Sequence, residues 1–264
     1  MATLSVVLAT FNEEKNLPDC LSSVRNIADE IIVVDGRSTD KTVGVATRYN
    51  ARVVVRDNPQ MFHINKQKAI DLATKDWILQ LDADERATPE LIKEIELRIK
   101  NPVESKVGKR LQESGIDGYW VPRKNWFLGR FLLKGGQYPD YTLRLYRRGK
   151  GWLPQKSVHE QAIVKGKTAY LKNALLHIAY PSFSDYINRY KRYTYLIGEE
   201  LKEAKIGCNP LMVAKYMFIL PLWWFFLTYI RHKGFMDSWQ GLVFSFFSSL
   251  RFPVAYIKYI KRYG

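Results

Sequence analysis

The stretch "WILQLDADERATPEL" (residues 77–91) ends an apolar run in three carboxylates within four positions. Asp82, Asp84 and Glu85 repel one another if they lie side by side, so a fold that keeps them together needs a cation, a proton or a cationic partner. Carboxylate oxygens suit Mg²⁺ or Mn²⁺, and these ions bridge diphosphates. The pattern predicts a buried strand with Asp82 and Asp84 at a functional site and Glu85 in a structural role near the next helix.

Short β-branched runs alternate with helical patterns over the first hundred residues. The predicted strands are "LSVVLAT", "EIIVVDG", "ARVVV" and "DWILQLDAD", and the predicted helices are residues 13–27, 39–49, 64–73 and 89–100. Continuous apolar strands are typical of a parallel sheet that is covered on both faces. This part of the chain is therefore predicted to be an α/β nucleotide-binding layer.

Polar residues follow three of these strands, at the point where each strand ends. Thr10, Asn12 and Glu13 follow the first strand, Asp35 follows the second, and Asp82 follows the fourth. Ligands of such sheets bind outside the carboxyl ends of the strands. One cleft is expected to collect these side chains, with Asp35 accepting hydrogen bonds from a base or ribose.

The middle of the chain is expected to form a second, mixed layer on the acceptor side. Residues 101–117 are polar and are predicted to be a surface connection. They are followed by the strand-like pieces "GYWVPR", "YTLRLYRRG" and "TAYLKNALLHI". No internal repeat or low-complexity tract interrupts this pattern.

The last eighty residues change character. Apolar residues recur at helical spacing from Phe183 to Leu201, which predicts a helix that packs on the domain or lies on a membrane surface. The run "YMFILPLWWFFLTYI" (residues 216–230) carries no charge, but a spanning helix needs about 20 apolar residues. The run reaches that length only by including Lys215, and Pro221 interrupts it.

Basic residues flank this run and the later "GLVFSFFSSL" on every side. A single span would place positive charge on both faces of the membrane, whereas in-plane helices or a re-entrant hairpin would keep it on the cytoplasmic face. We therefore expect in-plane or hairpin insertion of residues 211–250, with an apolar oligomer interface as the alternative. The expected location is the cytoplasmic face of the inner (plasma) membrane.

Composition restricts the class of partner. The chain has 264 residues and 41 Lys and Arg against 26 Asp and Glu, a formal net charge of +15, which favours an anionic partner such as nucleic acid, acidic lipid or a phosphorylated substrate. Cys20 and Cys208 lie far apart and outside any Cys/His cluster, which argues against a zinc site or a disulfide framework. The N-terminus lacks the pattern of a signal peptide, so a cytosolic enzymatic part is expected.

The motifs together resemble family-two glycosyltransferases of the GT-A fold. "SVVLATFNEEKNLPDCLSSV", "EIIVVDGRSTDKT" and "WILQLDADE" are similar to that family's first-strand, second-strand and metal-binding motifs in order and spacing. "YWVPRKNWFLG", "YPDYTLRLYRR" and "VHE" resemble the lipopolysaccharide core β-1,4-glucosyltransferase subgroup more loosely. The resemblance implies an α/β fold with a Rossmann-like, mostly parallel sheet.

The resemblance also implies a division of the chain. Residues 1–180 would form the glycosyltransferase domain, with 1–100 binding the nucleotide-sugar and 118–180 on the acceptor side. Residues 181–264 would form a helical membrane-associating region. The implied activity is a metal-dependent hexosyltransferase that transfers a sugar such as glucose to a membrane lipid or a lipid-linked glycan such as lipopolysaccharide core, with an anionic membrane surface and no nucleic acid as partner.

The family's functional residues can be carried over position by position. Donor binding is implied for the set Thr10, Asn12, Glu13, Asp35, Lys66, Asp82, Arg144 and Arg147. A divalent metal, Mg²⁺ or Mn²⁺, would be held by Asp82 and Asp84, with His159 as a candidate ligand or phosphate contact. The subgroup has a Gln-Lys-Asn stretch where this chain has Asn65-Lys66-Gln67. That departure leaves Lys66, rather than Gln67, as the donor contact.

Inverting sugar transfer needs a carboxylate that deprotonates the acceptor hydroxyl as an oxocarbenium-like centre develops. Glu160, in "SVHEQ", is the preferred base, and Asp140 is an acceptor-binding residue or the alternative base. Either carboxylate could instead form a salt bridge with a nearby arginine. Arg144, Arg147 and Arg148 include the candidates for a diphosphate clamp, because guanidinium groups match phosphate oxygens. In a strand, Arg144 and Arg148 share one face and Arg147 lies on the other, so at least one of the three is expected to be solvated.

Two other function classes are weighed against the glycosyltransferase. A non-catalytic nucleic-acid-binding protein would explain the basic charge, but it predicts aromatic residues interleaved with basic ones on one platform. A nucleotidyltransferase would share the sheet and the metal site, but the chain lacks a Gly-rich, Lys-containing loop after the first strand. The glycosyltransferase interpretation alone accounts for the carboxylates, the charge and the apolar tail together.

Overall fold

The computed structural model describes residues 2–59, 61–100, 115–155 and 161–263. The chain divides into two compact units. The first unit comprises Met1–Arg123 and Asp140–His177, and the second comprises Lys124–Pro139 and Ile178–Gly264. The predicted surface connection at residues 101–117 lies mostly outside the described residues.

The first unit opens with four parallel strands in the spatial order β3-β2-β1-β4. These strands are β1 (Leu4–Thr10), β2 (Glu30–Asp35), β3 (Arg52–Val55) and β4 (Trp77–Gln80). The helices after them are α1 (Leu17–Val24), α2 (Thr42–Arg48), α3 (His63–Asp71) and α4 (Pro89–Ile95), which ends in a π turn at Glu96–Lys100. The predicted alternation of strands and helices is confirmed.

Alternate residues of these strands enter two different cores, as the period-2 geometry of a strand requires. Val6 and Leu79 lie in a cluster with Leu17 and Leu21 of α1. Val7 and Ile78 lie in a second cluster with Ala69 and Ile70 of α3, on the other face of the sheet. Because both faces are covered, the strands are apolar throughout.

The sheet continues beyond β4 with strands of mixed direction, in the order β8-β6-β12-β5. These strands are β5 (Glu85–Ala87), β6 (Ile116–Phe127), β8 (Asp140–Arg147) and β12 (Leu175–Tyr180). Strand β8 is antiparallel to β4 and β6, and β5 is antiparallel to β12. Strand β11 (Lys167–Tyr170) pairs with β6, while β9 (Gly151–Trp152) and β10 (Ile163–Val164) form a separate two-stranded antiparallel sheet. The predicted α/β class with a mixed second layer is confirmed.

The second unit is mainly helical. It contains β7 (Arg130–Leu132), α5 (Phe183–Glu203), a continuous helix α6 (Pro210–Arg231), a short 3₁₀ turn (Gly234–Asp237) and α7 (Ser238–Tyr263). Among the described residues, α6 is the helix that is long and apolar enough to cross a membrane, with a mean hydropathy of 1.6 and 11% of its most apolar window buried.

Pro221 does not interrupt α6, which corrects the expectation from the sequence. The helix contains π turns at Lys215–Ile219 and Phe226–Arg231 around a central α-helical stretch at Leu220–Phe225. Proline lacks the N–H that an α-helix needs and crowds the preceding turn. The wider π turn directly before Pro221 gives its ring room, so the helix continues through it.

Candidate functional site

The candidate site lies at the carboxyl edge of the parallel strands. Thr10 and Asp35 end β1 and β2 and are paired in register, and Val7 of β1 is paired with Gln80 at the end of β4. Asp82 follows two residues after Gln80 on the same edge. The structure therefore brings together the three strand ends that carry the predicted polar residues.

Asp35 is fully buried and organises the loop that follows β2. Its carboxylate accepts hydrogen bonds from the backbone N–H of Ser38 (2.8 Å), the Ser38 hydroxyl (2.6 Å) and the Thr10 hydroxyl (3.1 Å). Asn12 has a left-handed φ of 56° and its side chain accepts a hydrogen bond from the Thr39 N–H at 2.8 Å. These side chains connect the loops after β1 and β2 to each other.

Glu13 also belongs to this pair of loops. Its N–H donates to the Thr42 hydroxyl at 2.7 Å, and its carboxylate accepts from the Asn16 amide at 2.9 Å. The N-terminal part of the predicted first helix is consequently a turn, and α1 begins only at Leu17, with Pro18 in its first turn. Proline is well suited to that position because the first helical N–H groups have no partner within the helix.

Asp82 is held by two cations. Lys66 of α3 contacts Oδ1, and a terminal nitrogen of Arg144 from β8 donates to Oδ2 at 2.6 Å. Partial burial opposes ionisation of Asp82, but Arg144 and Lys66 outweigh it and hold the pKa of this carboxyl well below its ordinary range. Lys66, Asp82 and Arg144 were predicted from the sequence, and the structure places them in direct contact.

Glu85 is the buried counter-charge of Arg144. It is fully buried and accepts hydrogen bonds from Arg144 (2.7 Å) and from the Asp82 N–H (2.9 Å). Arg144 itself is 7% exposed; burial alone would lower its pKa, but Asp82 and Glu85 raise it above the ordinary value. Glu85 therefore holds Arg144 in the position from which it donates to Asp82.

Asp140, at the start of β8, is engaged by Arg123 from β6. The guanidinium donates to Oδ2 through Nε (3.0 Å) and a terminal nitrogen (2.8 Å), and its other terminal nitrogen lies 3.4 Å from Glu85. Asp140, Arg123, Glu85, Arg144 and Asp82 therefore form one continuous network of charges. Its members come from strands β6 and β8 and from the segment after β4.

Asp84 lies next to a histidine that the sequence did not single out. Its Oδ2 is 3.3 Å from Nε2 of His177, and both side chains are partly accessible. His177 reaches this position because β12 pairs with the three-residue strand β5, in register with Glu85. His177 lies in the predicted strand-like piece "TAYLKNALLHI", but nothing in the sequence indicates that this piece pairs beside the Asp82–Asp84 motif.

Several predicted site residues lie elsewhere. Arg147 pairs in register with Trp77 at the start of β4 and stacks on its ring at 4.7 Å, whereas Asp82 follows the end of that strand. The structure thus corrects the expectation that Arg147 joins Arg144 in a diphosphate clamp, because the two lie toward opposite ends of β4.

Gln67 accepts a hydrogen bond from the Leu153 N–H at 2.7 Å, which is a structural role. His159 and Glu160 lie outside the described residues.

Two cations and two carboxylates balance one another at this strand edge: Lys66 and Arg144 are paired with Asp82 and Glu85. Beside them, Asp84 and His177 offer one oxygen and one nitrogen donor. Adjacent ligands of an octahedral cation lie about 3 Å apart when each metal–ligand distance is about 2.1 Å, which the 3.3 Å separation approaches. No cluster of three or more His, Cys, Asp or Glu side chains with metal-binding geometry occurs within the described ranges.

The chain is similar to several known proteins. An uncharacterized glycosyltransferase of Rickettsia felis is 41% identical over 256 residues, which cover 92% of this chain and 84% of that protein. The lipopolysaccharide core biosynthesis glycosyltransferase LpsC of Rhizobium meliloti is 28% identical, over 94% of this chain and 91% of LpsC. A crystal structure of S. aureus TarS 1–349 gives a TM-score of 0.47 at 16% identity, over 99% of this chain and 89% of that one.

The model of the family described as "Glycosyl transferase family 2" matches residues 5–162, which contain β1, β2, β4 and β8 with Asp82, Asp84 and Arg144. This range is more than half of the chain. The resemblance inferred from the sequence is confirmed, and the chain belongs to glycosyltransferase family 2.

Proposed function

We propose that this enzyme transfers a hexosyl group, such as glucose, from a nucleotide-sugar donor to a membrane lipid or lipid-linked glycan of the lipopolysaccharide core type, with inversion at the anomeric carbon. The observation that carries the proposal is a set of three contacts just after β4. Lys66 and Arg144 both hold Asp82, while Asp84 lies beside His177. Membership of glycosyltransferase family 2 supports the reaction class.

The donor is proposed to enter at the edge where β1, β2 and β4 end. The loop organised by Asp35, Asn12 and Glu13 would bind the nucleoside, since hydrogen-bonding groups at such a strand edge suit a base or ribose. Lys66 and Arg144 would then meet the diphosphate, because ammonium and guanidinium groups stabilise charge on phosphate oxygens. Asp82 holds both cations in place before the donor arrives.

The donor set at Asp84 and His177 fits a divalent cation such as Mn²⁺ or Mg²⁺, which commonly takes few protein ligands and fills its other positions with water and phosphate oxygens. When bound, the cation would neutralise charge on the leaving diphosphate. Asp82 would contribute through Lys66 and Arg144, since both of its oxygens are engaged by them. His177 is proposed here as a metal-binding residue in addition to His159.

The base is proposed to be Glu160, which would accept the proton of the acceptor hydroxyl as the oxygen attacks the anomeric carbon and the C–O bond to the diphosphate breaks. Asp140 is the other candidate. Two N–H groups of Arg123 engage one oxygen of Asp140, which supports a role in positioning rather than in proton transfer.

The acceptor is proposed from two observations in different parts of the chain. LpsC, which is named for lipopolysaccharide core biosynthesis, is similar over nearly the whole length. The second unit carries exposed apolar side chains and basic residues, as expected for an enzyme at the cytoplasmic face of the inner membrane. A lipid-linked acceptor would be presented at such a surface.

A thermal-shift screen of nucleoside diphosphates, with and without Mn²⁺, tests the donor site, since a ligand that binds only the folded state raises the melting temperature. Stabilisation that needs both nucleotide and metal is expected, and the preferred base narrows the sugar. The matching nucleotide-sugars are then incubated with extracted lipid-linked glycans, and sugar incorporation into the lipid phase is measured. Donor hydrolysis without incorporation into any lipid fraction would contradict the proposed acceptor class.

A further inference from the structure

One side of helix α6 is exposed and almost entirely apolar. Its exposed members recur at spacings of one, three and four residues, which is the pattern of a single helical stripe. The apolar members of this stripe, with exposed fractions between 47% and 70%, are Leu211, Phe218, Ile219, Leu222, Trp223, Phe226 and Ile230. A stripe of this length is far more apolar surface than isolated exposed side chains provide, and it indicates an interaction site.

The opposite side of α6 packs against α7. The rings of Tyr216 and Tyr256 stack with their centroids 4.8 Å apart, and the Trp224 indole donates to the Ser248 hydroxyl at 2.8 Å. Pro221 and Thr228 are buried on this side. The stripe on α6 therefore faces away from the helix that supports it.

Exposed apolar residues continue past the end of α6. Phe235 and Met236 in the 3₁₀ turn and Trp239, Leu242 and Phe246 in the first half of α7 are all 43–55% exposed. Together with the apolar stripe on α6 they form what we call the apolar face of the second unit. Two exposed tryptophans, Trp223 and Trp239, belong to it, and tryptophan is the side chain that favours the boundary between lipid and water.

The charged residues of this region are almost all basic. From residue 204 to the end, the sequence has one acidic residue, Asp237, against eight basic residues, which are Lys205, Lys215, Arg231, Lys233, Arg251, Lys258, Lys261 and Arg262. Asp237 is 2% exposed and its carboxylate accepts hydrogen bonds from the N–H groups of Leu133 and Lys134. The accessible charge beside the apolar face is thus positive, which complements anionic phospholipid.

The packing behind α6 argues against its crossing a bilayer. The guanidinium of Arg251 lies over the Trp224 ring at 4.3 Å, seven residues before the end of α6. If α6 crossed a bilayer, it would carry Arg251 into the hydrocarbon, where a charged side chain is costly.

A spanning α6 would also bring helix α5 into the membrane, because α5 packs on α7. Phe247 of α7 packs on Tyr186 and Tyr190 of α5, with centroids 5.8 Å apart in both cases. Arg189 and Lys191 flank Tyr190 along α5, so a spanning α6 would draw these charges into the membrane as well.

We infer that the second unit binds the surface of an anionic phospholipid bilayer with α6 lying in the membrane plane, its apolar stripe immersed among the acyl chains and its basic residues at the headgroups. Such a helix shields its apolar side in the interface and leaves the charged supporting helices in water. The inference rests on the proposed lipid-linked acceptor, and it adds the orientation in which the enzyme would meet that acceptor.

Binding of the full chain to vesicles tests the surface. Sedimentation with phosphatidylcholine/phosphatidylglycerol vesicles is expected, with weaker binding to phosphatidylcholine alone and at high salt. Leu222→Ser and Phe226→Ser should each weaken partitioning about tenfold or more, since each removes a large apolar group that would leave water. Leu97→Ser, at a 45% exposed leucine of the first unit, is the matched control and should bind like the unchanged protein.

The orientation is tested by spin labels at Leu211→Cys, Leu222→Cys and Ile230→Cys. The exposed Cys208 is replaced by serine so that it does not react with the label, and Cys20 is kept because it is buried. In-plane binding predicts a similar shallow depth for all three labels. A profile in which the label at position 222 is deepest, with positions 211 and 230 near opposite interfaces, would show a spanning helix and overturn the inference.

A chain that does not bind vesicles and instead dimerises, with the labels buried at the contact, would also overturn the inference. The thermal shift produced by nucleotide and Mn²⁺ is measured on the same samples. A protein that shows the thermal shift but does not bind vesicles would refute the membrane-binding surface and leave the proposed donor site unaffected. A protein that shows no thermal shift would refute the proposed donor site.

Discussion

A single terminal nitrogen of Arg144 donates to Asp82 at 2.6 Å and to Glu85 at 2.7 Å. Glu85 is fully buried, so this arginine balances a charge that water does not reach. Removing one partner of a buried ion pair typically costs about 3–5 kcal/mol, because the other charge is left uncompensated.

Arg144→Met is therefore expected to reduce the free energy of unfolding by roughly that amount, measured by urea denaturation. Adding Glu85→Gln should recover part of the loss, since the buried charge then disappears with its partner. A single variant as stable as the unchanged protein would contradict the assignment of Glu85 and Arg144 as a structural pair.

Asp82 should make stability depend on pH in the acid range. Its pKa is depressed in the folded state, so the stabilisation is complete above the unfolded-state pKa of about 4 and is lost as the pH falls below that value toward the folded-state pKa. Denaturation series at decreasing pH should show this loss, and Asp82→Asn should show a smaller one. Identical pH profiles for the two proteins would mean that Lys66 and Arg144 do not stabilise this carboxylate.

We propose Glu160, rather than Asp140, as the general base. Glu160→Gln should keep nucleotide binding while transfer falls by about 10²–10⁴-fold, as expected when a general base is lost. Asp140→Asn should mainly lower stability, because it removes the negative charge that lies closest to Arg123. Steady-state transfer rates and melting temperatures of both variants separate the two roles, and near-normal turnover of Glu160→Gln would move the base elsewhere.

Arg147 provides a contrast with Arg144. It stacks on Trp77 and donates to the Ile116 carbonyl at 3.2 Å, toward the other end of β4 from Asp82. Arg147→Ala should leave nucleotide affinity unchanged and lower the free energy of unfolding by about 0.5–1 kcal/mol, the range of an exposed cation–π contact. Calorimetric titration with the preferred nucleoside diphosphate checks this, and weaker nucleotide binding would restore Arg147 to the donor site.

The sequence predicted the parallel half of the fold because its strands are buried on both faces and therefore stand out as apolar runs. β1 matches the predicted "LSVVLAT" from end to end. The residues at the ends of those strands could also be predicted, since parallel strands deliver their carboxyl ends to one edge. Thr10, Asp35 and Asp82 follow from this rule alone.

The remaining parts of the site depend on antiparallel pairings that local patterns do not encode. His177 reaches Asp84 only because β12 pairs with a strand of three residues. The period of a strand places Arg144 and Arg147 of "YTLRLYRR" on opposite faces, but only the register of β8 on β4 shows that Arg144 lies beside Asp82 and Arg147 beside Trp77. Pro221 suggested a break because its tolerance depends on a π turn, which has no comparable sequence signal.

We propose that Asp84 and His177 hold a divalent cation at the donor site, and Mn²⁺ binding can be followed directly by electron paramagnetic resonance. Free Mn²⁺ is titrated with the protein in the presence of the preferred nucleoside diphosphate, using Asp84→Asn, His177→Ala and, as the matched control, His232→Ala at an exposed histidine of the second unit. We predict that the first two variants lose nucleotide-dependent Mn²⁺ binding by tenfold or more, in line with the loss of a metal ligand, and that the control does not. Unchanged Mn²⁺ affinity in both Asp84→Asn and His177→Ala would contradict the claim.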